Sequence, residues 1–260
     1  MFFISAPFGN YLKFKNSISV TGTWTLNPRP GLLKQIIKTL RYVKTEQGRS
    51  WRNKLGLRNP GLHVGMLKTS YNQVMSVAAL EPSDWEKIRM AISPERSIEL
   101  NISCPNLDTH EDTTSWNGFD KFPQHMRGDW CIVKIPPVAP KELIDKIIDS
   151  GYSQIHASNT LYTKQGGLSG KTLVPYTMGI IDYIKSSQIA DKLTLITNGL
   201  NLTDKIIESL SKLDSLVISE YPIPNVLSIE KVFNISQVKT KLTSNGVDVI
   251  FWRQDEFELY

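Results

Sequence analysis

The chain has 260 residues, of which 40% are hydrophobic and 21% are charged, values that are ordinary for a globular protein. This length fits one α/β barrel or two smaller domains, and the composition excludes a disordered or fibrous chain. The net charge of +5, from 30 Lys and Arg against 25 Asp and Glu, favours anionic ligands in general and does not specifically indicate nucleic acid.

The two cysteines, Cys104 and Cys131, are too few for a disulfide framework and are typical of a reducing compartment, so we expect a cytoplasmic protein. Residues 1–7 lack the basic region of a signal peptide. No segment reaches the roughly 20 apolar residues that a membrane span needs, and no membrane-associating helix precedes the first strand. The sequence therefore predicts no membrane partner and no nucleic-acid partner.

Short runs rich in β-branched residues recur along the chain and predict eight strands. They cover residues 2–6, 17–22, 73–78, 97–102, 130–135, 154–157, 193–197 and 215–218. Amphipathic stretches between them predict helices at 82–92, 140–150, 174–187, 203–213 and 228–238. Alternation of strands and helices is typical of βα units joined by right-handed crossovers.

Eight such strands predict an α/β fold, a (β/α)₈ TIM barrel that forms one domain over residues 1–260. Two connections depart from the regular pattern. Only about ten residues separate the first two strands, too few for a crossover helix of the usual dozen residues. Residues 107–129, after the fourth strand, are polar and contain Pro123 and Gly128. We expect the helices after strands 1 and 4 to be lost or shortened.

The loops after the carboxyl ends of the strands form the active site in this fold. The polar and glycine-rich segments of the chain fall at these positions. They are Asn101-Ile102-Ser103-Cys104-Pro105-Asn106 after the fourth strand, Lys134-Ile135-Pro136-Pro137 on the fifth, Ser158-Asn159-Thr160 and Gly166-Gly167-Leu168-Ser169-Gly170 after the sixth, and Asn198-Gly199 after the seventh.

Lys134 alternates with apolar Val133 and Ile135, so its side chain points into the predicted barrel and needs an anionic or polar partner. Asn101 and Asn106 offer uncharged donors and acceptors that suit the amide edges of a planar heterocycle. A lysine that reaches solvent at a strand end, and asparagines that serve only turns, are the plainer alternatives.

Of the two cysteines, Cys104 lies among polar residues after a strand, whereas Cys131 lies within an apolar run and is typical of the core. A thiol ionises with a reference pKa of about 8.5, so Cys104 is the candidate for chemistry. The glycine-rich turns at 166–170 and 198–199 let backbone N–H groups approach one phosphate. The Gly-x-Gly-x-x-Gly dinucleotide pattern is absent after the opening strand.

Taken together and in this order, these motifs resemble the dihydroorotate dehydrogenase family of FMN-dependent barrels. The resemblance extends from the first strand to about Ser219, and its most specific parts are the segment around Cys104 and residues 166–170. Besides the segments already named, the matching ones are Gly22-Thr23, Asn27-Pro28-Arg29-Pro30 and Asn53-Lys54-Leu55-Gly56-Leu57.

The resemblance implies oxidation of dihydroorotate to orotate, a step of pyrimidine biosynthesis, by one flavin-binding domain. Cys104 would remove the C5 proton, while the flavin takes the C6 hydride on the other face of the ring. The implied substrate residues are Asn53, Gly56, Leu57, Asn101, Asn106, Asn159 and Thr160. The implied FMN residues are Ala6, Thr23, Asn101, Lys134, Ser158, Gly170, Gly199 and Ser219. No metal is implied.

Several positions differ from the family pattern, and one of them is the phosphate segment, where Asn198-Gly199 stands in place of the usual Gly-Gly. Family members carry a lysine near the first or second strand that contacts flavin and substrate, whereas this chain has Asn10 and Thr21 there. Lys13 is a candidate replacement. At the phosphate turn after the eighth strand, Ser219 is followed by Glu220, and a carboxylate there would oppose a phosphate.

The resemblance leaves the electron acceptor open between fumarate, a separate iron–sulfur subunit and another soluble acceptor, and it allows a homodimer. Two other functions also remain open. One is flavin-dependent reduction of another pyrimidine-like substrate, such as free or RNA-bound uracil. The other is a degenerate barrel that binds a pyrimidine or a partner protein without turnover.

Overall fold

A computed structural model of the chain describes residues 2–11, 17–102, 118–187, 193–197, 215–219 and 248–249. In chain order the strands are β1 (Phe2–Ile4), β2 (Ser17–Thr25), β3 (Arg41–Thr45), β4 (Gly48–Asn53), β5 (Val74–Ala78), β6 (Ile98–Asn101), β7 (Cys131–Ile135), β8 (Gln154–Ala157), β9 (Gly167–Gly170), β10 (Thr194–Thr197), β11 (Ser215–Ser219) and β12 (Asp248–Val249). The α-helices are α1 (Leu32–Thr39), α2 (Leu62–Lys68), α3 (Pro82–Ala91), α4 (Phe122–His125), α5 (Lys141–Asp149) and α6 (Val174–Ser186).

The main sheet is parallel and runs in the order β1-β2-β5-β6-β7-β8-β10-β11-β12. It curls strongly, because β1 pairs with both β2 and β11: Phe2 lies opposite Ser17 on one side and Ile218 on the other. All eight predicted strands belong to this sheet, and the largest difference is that β2 continues to Thr25 rather than ending at Gly22. The prediction of an α/β fold is confirmed.

Two apolar layers fix this arrangement. On the outer face, α3, α5 and α6 pack buried side chains such as Trp85, Ile147 and Ile181 against the strands. On the concave face is a smaller cluster, whose side chains come from strands that are not all adjacent in the sheet. It contains Phe3, Val20, Val74, Ile132 and Ile196. Burial on both faces explains why these strands read as short apolar runs.

The predicted helices at 82–92, 140–150 and 174–187 are confirmed as α3, α5 and α6, each within about a residue at both ends. The start of α3 is fixed by a reciprocal capping box between Glu81 and Asp84. The helices predicted at 203–213 and 228–238 lie outside the described residues. No helix of the described segments is both long enough and apolar enough to span a bilayer.

The two shortened connections match the expectation where the structure describes them. Between β1 and β2 the described residues contain only a 3₁₀ turn, Phe8–Asn10. After β6, residues 118–130 form a second 3₁₀ turn, Phe119–Lys121, followed by the four residues of α4. Residues 103–117, which include much of this connection, lie outside the description.

The sequence reading missed a second, antiparallel sheet with the order β3-β4-β9. Together with α1 it covers one end of the main sheet, and we call these four elements the cap. The segment at 166–170 was predicted to be a phosphate-binding turn. The prediction of a turn was wrong, because Gly167–Gly170 is a strand whose backbone pairs with Ser50–Asn53 of β4. The pattern was hidden because the partner strand is more than 100 residues away.

Close packing of α2 on β2 gives a test of the fold. A Cβ added at Gly65 of α2 would lie 2.6 Å from the indole of Trp24. We expect Gly65→Ala to lower the free energy of unfolding by roughly 1–3 kcal/mol, because overpacking outweighs the better helix propensity of alanine. Gly179→Ala in α6 is the control, since a Cβ there meets nothing within 4 Å. Equal urea midpoints for the two variants would contradict the packing described for Gly65.

Candidate active site

A cavity of about 1000 Å³ lies at the carboxyl ends of the parallel strands, between the main sheet and the cap. Pockets of this size hold small molecules and cofactors. Residues with predicted roles line it from both sides: Ala6, Thr23, Asn53, Leu57, Asn101, Lys134, Asn159, Thr160 and Gly170. The structure therefore brings together residues that are up to 164 positions apart in sequence.

The remaining predicted site residues do not line the cavity or lie outside the described residues. Gly56 is not part of the cavity wall, and its carbonyl accepts a hydrogen bond from Arg29 Nε at 2.9 Å. Ser158 is buried beside the cavity, with its hydroxyl 3.4 Å from that of Thr177 in α6. Ser219 ends β11 and pairs with Phe3. Cys104, Asn106 and Gly199 lie outside the described residues, as do Lys13 and Glu220.

Two carboxamides form the polar centre of the cavity. Asn159 Nδ2 donates to Asn101 Oδ1 at 2.9 Å, and Asn101 Nδ2 donates to Thr23 Oγ1 at 3.2 Å. Thr160 continues the row, because its hydroxyl lies 3.5 Å from Asn159 Oδ1. Asn101 and Asn159 are buried at the ends of β6 and β8, so the two amides are held in fixed orientations that suit recognition of a planar polar ring.

Lys134 lines the same cavity, and a carboxylate lies behind it that the sequence reading did not identify. Glu99 of β6 is fully buried, and its Oε1 is 4.0 Å from Lys134 Nζ. Ser76 donates to Oε1 at 2.8 Å, and His156 Nδ1 lies 2.6 Å from Oε2. One carboxylate therefore contacts residues of β5, β7 and β8, and this supplies the anionic partner that Lys134 was predicted to need.

The charges of this group follow from its surroundings. Burial raises the pKa of Glu99, but Lys134, His156 and the Ser76 hydroxyl outweigh it and lower the pKa to about 2. Burial lowers the pKa of His156, and the Lys134 ammonium lowers it further, against the opposing effect of Glu99. At neutral pH Glu99 is therefore ionised and His156 is neutral, so its Nδ1–H donates to the carboxylate.

A signal for Glu99 was present in the sequence. Ser97, Glu99 and Asn101 alternate with apolar Ile98 and Leu100, which places polar side chains on the inner face. The sequence signal for His156 is weaker, because it is a single polar residue between Ile155 and Ala157. Its role depends on Lys134 and Glu99, which reach it only through strand pairing.

The positions that lack the family's lysine are occupied by structural contacts. Asn10 forms two hydrogen bonds with the backbone of Gly22, one from Nδ2 at 3.0 Å and one to Oδ1 at 2.9 Å. The Thr21 hydroxyl lies 2.7 Å from that of Thr69 and accepts from the Trp24 indole at 3.3 Å. Asn10 thus stabilises the cavity wall through the backbone of Gly22.

Two arginines add positive charge to the cavity wall. Arg29 and Arg58 both line it, and Arg58 also donates from Nη1 to the Pro30 carbonyl at 3.3 Å. The sequence reading did not single them out, although they lie within or next to two of the quoted segments. Their presence at the cap side makes this end of the cavity attractive to an anionic group.

Two buried polar atoms of the described residues have no hydrogen-bond partner, Arg58 Nε and Thr197 Oγ1. Thr197 ends β10 and directly precedes Asn198-Gly199, the predicted phosphate turn. A buried hydroxyl without a partner costs free energy unless a bound group satisfies it. Arg58 and the amides of Asn101 and Asn159 line the cavity and can hydrogen-bond to a bound polar molecule, whereas Thr197 is not part of the cavity wall.

Comparison with models of known protein families finds no match to this chain, and no curated protein matches it. The candidate site therefore rests on the residues and their geometry.

The buried carboxylate predicts a specific loss of stability in acid. The pKa of Glu99 is lowered in the folded protein from its ordinary 4.5 to about 2, so its contribution is complete above pH 4.5 and is lost as the pH falls towards 2. His156 acts in the same direction below pH 6.5, because the unfolded chain binds a proton that the folded chain resists.

We expect Glu99→Gln to lower the free energy of unfolding at pH 7 by roughly 3–5 kcal/mol, since it leaves the Lys134 charge buried without its counter-ion. The difference from the parent should shrink between pH 4.5 and 2 in denaturant titrations. Glu86→Gln is the control, because Glu86 forms only an exposed ion pair with Arg89 and should cost little. A pH-independent difference for Glu99→Gln would contradict the assigned ionisation.

Proposed function

We propose that the chain is a (β/α)₈ barrel of the dihydroorotate dehydrogenase type, which binds FMN and oxidises dihydroorotate to orotate. The observation that carries the proposal is the convergence of Thr23, Asn53, Asn101, Lys134 and Asn159 on one cavity. The resemblance assigns all five of these residues to substrate or flavin.

The barrel assignment draws support from the sheet. All its pairings are parallel, and β1 pairs with β2 and with β11, so the sheet turns back to its first strand. The cavity lies at the carboxyl ends of the strands, where barrels of this class hold their active sites. A buried apolar cluster that includes Phe3 and Ile132 packs beside the cavity, and the two share Ala6.

The cofactor residues would come from four strands. Ala6, Thr23 and Gly170 would line the flavin, and Lys134 would neutralise the charge that reduction places on its pyrimidine edge. Gly199 and Ser219 would hold the phosphate. Bound FMN supplies the two-electron acceptor that removes a hydride from the substrate. The loop that follows Thr197 begins with Asn198-Gly199 and would complete the phosphate site.

The substrate would bind between the flavin and the loop of Cys104. Asn101 and Asn159 fix each other by a hydrogen bond, so both carboxamides would be held in defined orientations beside the ring. Asn53 reaches the cavity from β4 of the cap, and Arg58 adds positive charge for a carboxylate. Cys104 follows the end of β6 by three residues and would remove the C5 proton.

We also propose a cytoplasmic location and a small-molecule pyrimidine substrate. Cys131 is a free thiol that is largely buried, which agrees with a reducing compartment. A comparison of dihydroorotate with dihydrouracil, followed by bleaching of the flavin, separates this proposal from reduction of uracil.

FMN binding is the first test. The purified protein should be yellow, or should take up about one FMN per chain in an absorbance titration. Lys134→Ala should lower flavin occupancy or slow flavin reduction, because it removes the ammonium that faces the cavity. Lys87→Ala, an exposed lysine in α3, is the matched control and should behave as the parent. Colourless protein that fails to bind FMN would support a degenerate barrel instead.

The role of Cys104 is tested by single-turnover flavin reduction across pH. Cys104→Ala should keep flavin and substrate affinity but reduce its flavin about 10²- to 10⁴-fold more slowly, which is the usual value of a general base. Cys104→Ser should retain some activity and require higher pH. Cys131→Ala is the control, because burial raises the pKa of the Cys131 thiol to about 12 and excludes it from acid–base chemistry. An alanine variant at 104 that matches the parent rate would refute the assignment.

A further inference from the structure

Positive charge is concentrated in one stretch of the chain. Residues 29–58 contain nine of the 30 Lys and Arg residues and a single acidic residue, Glu46. The rest of the chain holds more acidic than basic residues, so the net positive charge of the protein comes from this stretch. It includes α1, β3 and β4 of the cap, and we call it the basic stretch. The field around this end of the molecule is therefore strongly positive.

Large apolar side chains are exposed in the same place. Leu33 and Ile37 of α1 are each 71% exposed, and Tyr42 of β3 is 46% exposed. Leu33 and Ile37 are four residues apart and share one side of the helix, flanked by Lys34 and Lys38 at the same spacing. No residue of α1 is fully buried. On α1, exposed apolar and basic side chains therefore lie next to each other.

A surface helix normally turns its whole apolar side inward, but in α1 only part of that side faces the cavity and the rest is exposed. The polar side of α1 also faces the protein: Gln35 Nε2 donates to the Lys54 carbonyl at 3.0 Å, and Lys54 N–H donates to Thr39 Oγ1 at 3.0 Å. These bonds fix the rotation of α1 about its axis. The apolar side chains of α1 therefore lie partly in the cavity wall and partly on the outer surface.

The apolar surface also connects the exterior with the cavity. Leu32, Ile36 and Leu40 of α1 line the cavity, and Leu33 and Ile37 lie beside them on the outer surface. On a helix these five positions span a single arc, since successive residues are 100° apart. A ligand or bilayer that covers the outer side of α1 therefore lies next to the mouth of the cavity.

We propose that the cap is a docking surface for an anionic lipid bilayer. Aliphatic side chains flanked by lysines are the composition by which a helix lies in the membrane interface, with the apolar residues at the acyl boundary and the cations at the headgroups. This inference revises the expectation of no membrane partner, and it concerns a protein that lies on the membrane rather than one that crosses it. It does not depend on the proposed reaction.

Other occupants fit less well. A second copy would bring two strongly positive surfaces together, and their repulsion opposes a dimer through this face. Nucleic acid would use the cations and the aromatic ring of Tyr42, but the exposed Leu33 and Ile37 would gain nothing from phosphates. A bilayer satisfies both the charge and the aliphatic surface.

Sedimentation with lipid vesicles tests the proposal on the full chain. The parent should bind vesicles of phosphatidylcholine that contain about one third phosphatidylserine, bind pure phosphatidylcholine weakly, and lose binding as salt is raised. The double variants Leu33→Ser with Ile37→Ser and Lys34→Gln with Lys38→Gln should each lower the partition coefficient about tenfold or more.

The control is Lys87→Gln with Met90→Ser on α3, which removes one exposed lysine and an apolar side chain that is 70% exposed. It should bind the vesicles as the parent does. Because Leu33, Ile37, Lys34 and Lys38 are exposed, circular dichroism should show that all variants fold. Failure of the parent to bind anionic vesicles at low salt, or equal binding by the α1 variants, would overturn the proposal. So would tight binding to a single-stranded oligonucleotide that survives loss of Leu33 and Ile37, or a dimer that depends on these two residues.

Discussion

The interior of the sheet depends on one buried carboxylate. Glu99 lies on β6 and contacts Ser76 of β5, Lys134 of β7 and His156 of β8, so a single side chain ties four neighbouring strands together. A buried ion of this kind is tolerated only when its oxygens are paired. Once Glu99 is ionised, the position of Lys134 is determined, and with it the charge at the floor of the cavity.

The concave face is divided into two layers with different tasks. Apolar side chains, among them Val20, Val74 and Ile196, form a buried cluster that supplies packing. Polar side chains follow at the carboxyl ends, where Asn101 and Asn159 hold each other in place. The polar layer is costly to bury, and the apolar layer beneath it offsets that cost. A site that must present fixed amides and one cation to a ligand needs both layers.

The cap covers the carboxyl ends of the parallel strands and so encloses the cavity. It also carries the exposed surface of α1. Its strands β4 and β9 bring Asn53 and Gly170 over the polar floor, while α1 turns its aliphatic side chains to the mouth and to the exterior. In the proposed arrangement the cavity would open beside the bilayer and would have direct access to molecules dissolved in it. The proposed chemistry and the proposed docking surface are therefore compatible, although each rests on different residues.

By itself the sequence determined the eight strands, three of the helices, the two shortened connections and nine of the residues that line the cavity. These features are local: burial on both faces produces apolar runs, amphipathic helices repeat at 3.6 residues, and polar segments mark strand ends. The inward direction of Lys134 followed from alternation with Val133 and Ile135. For residues 103–117, which include Cys104, only the sequence supports the assigned roles.

Only the tertiary structure decided which groups meet. The pairing of β4 with β9 joins segments more than 100 residues apart, so residues 166–170 read locally as a turn although they form a strand. Glu99 and His156 lie 57 positions apart and become partners only through the register of β6, β7 and β8. The exposed side of α1 was equally hidden, because an amphipathic sequence specifies that a helix has an apolar face but not which face the rest of the chain covers. Contacts of this kind depend on long-range packing, and no local pattern of residues encodes them.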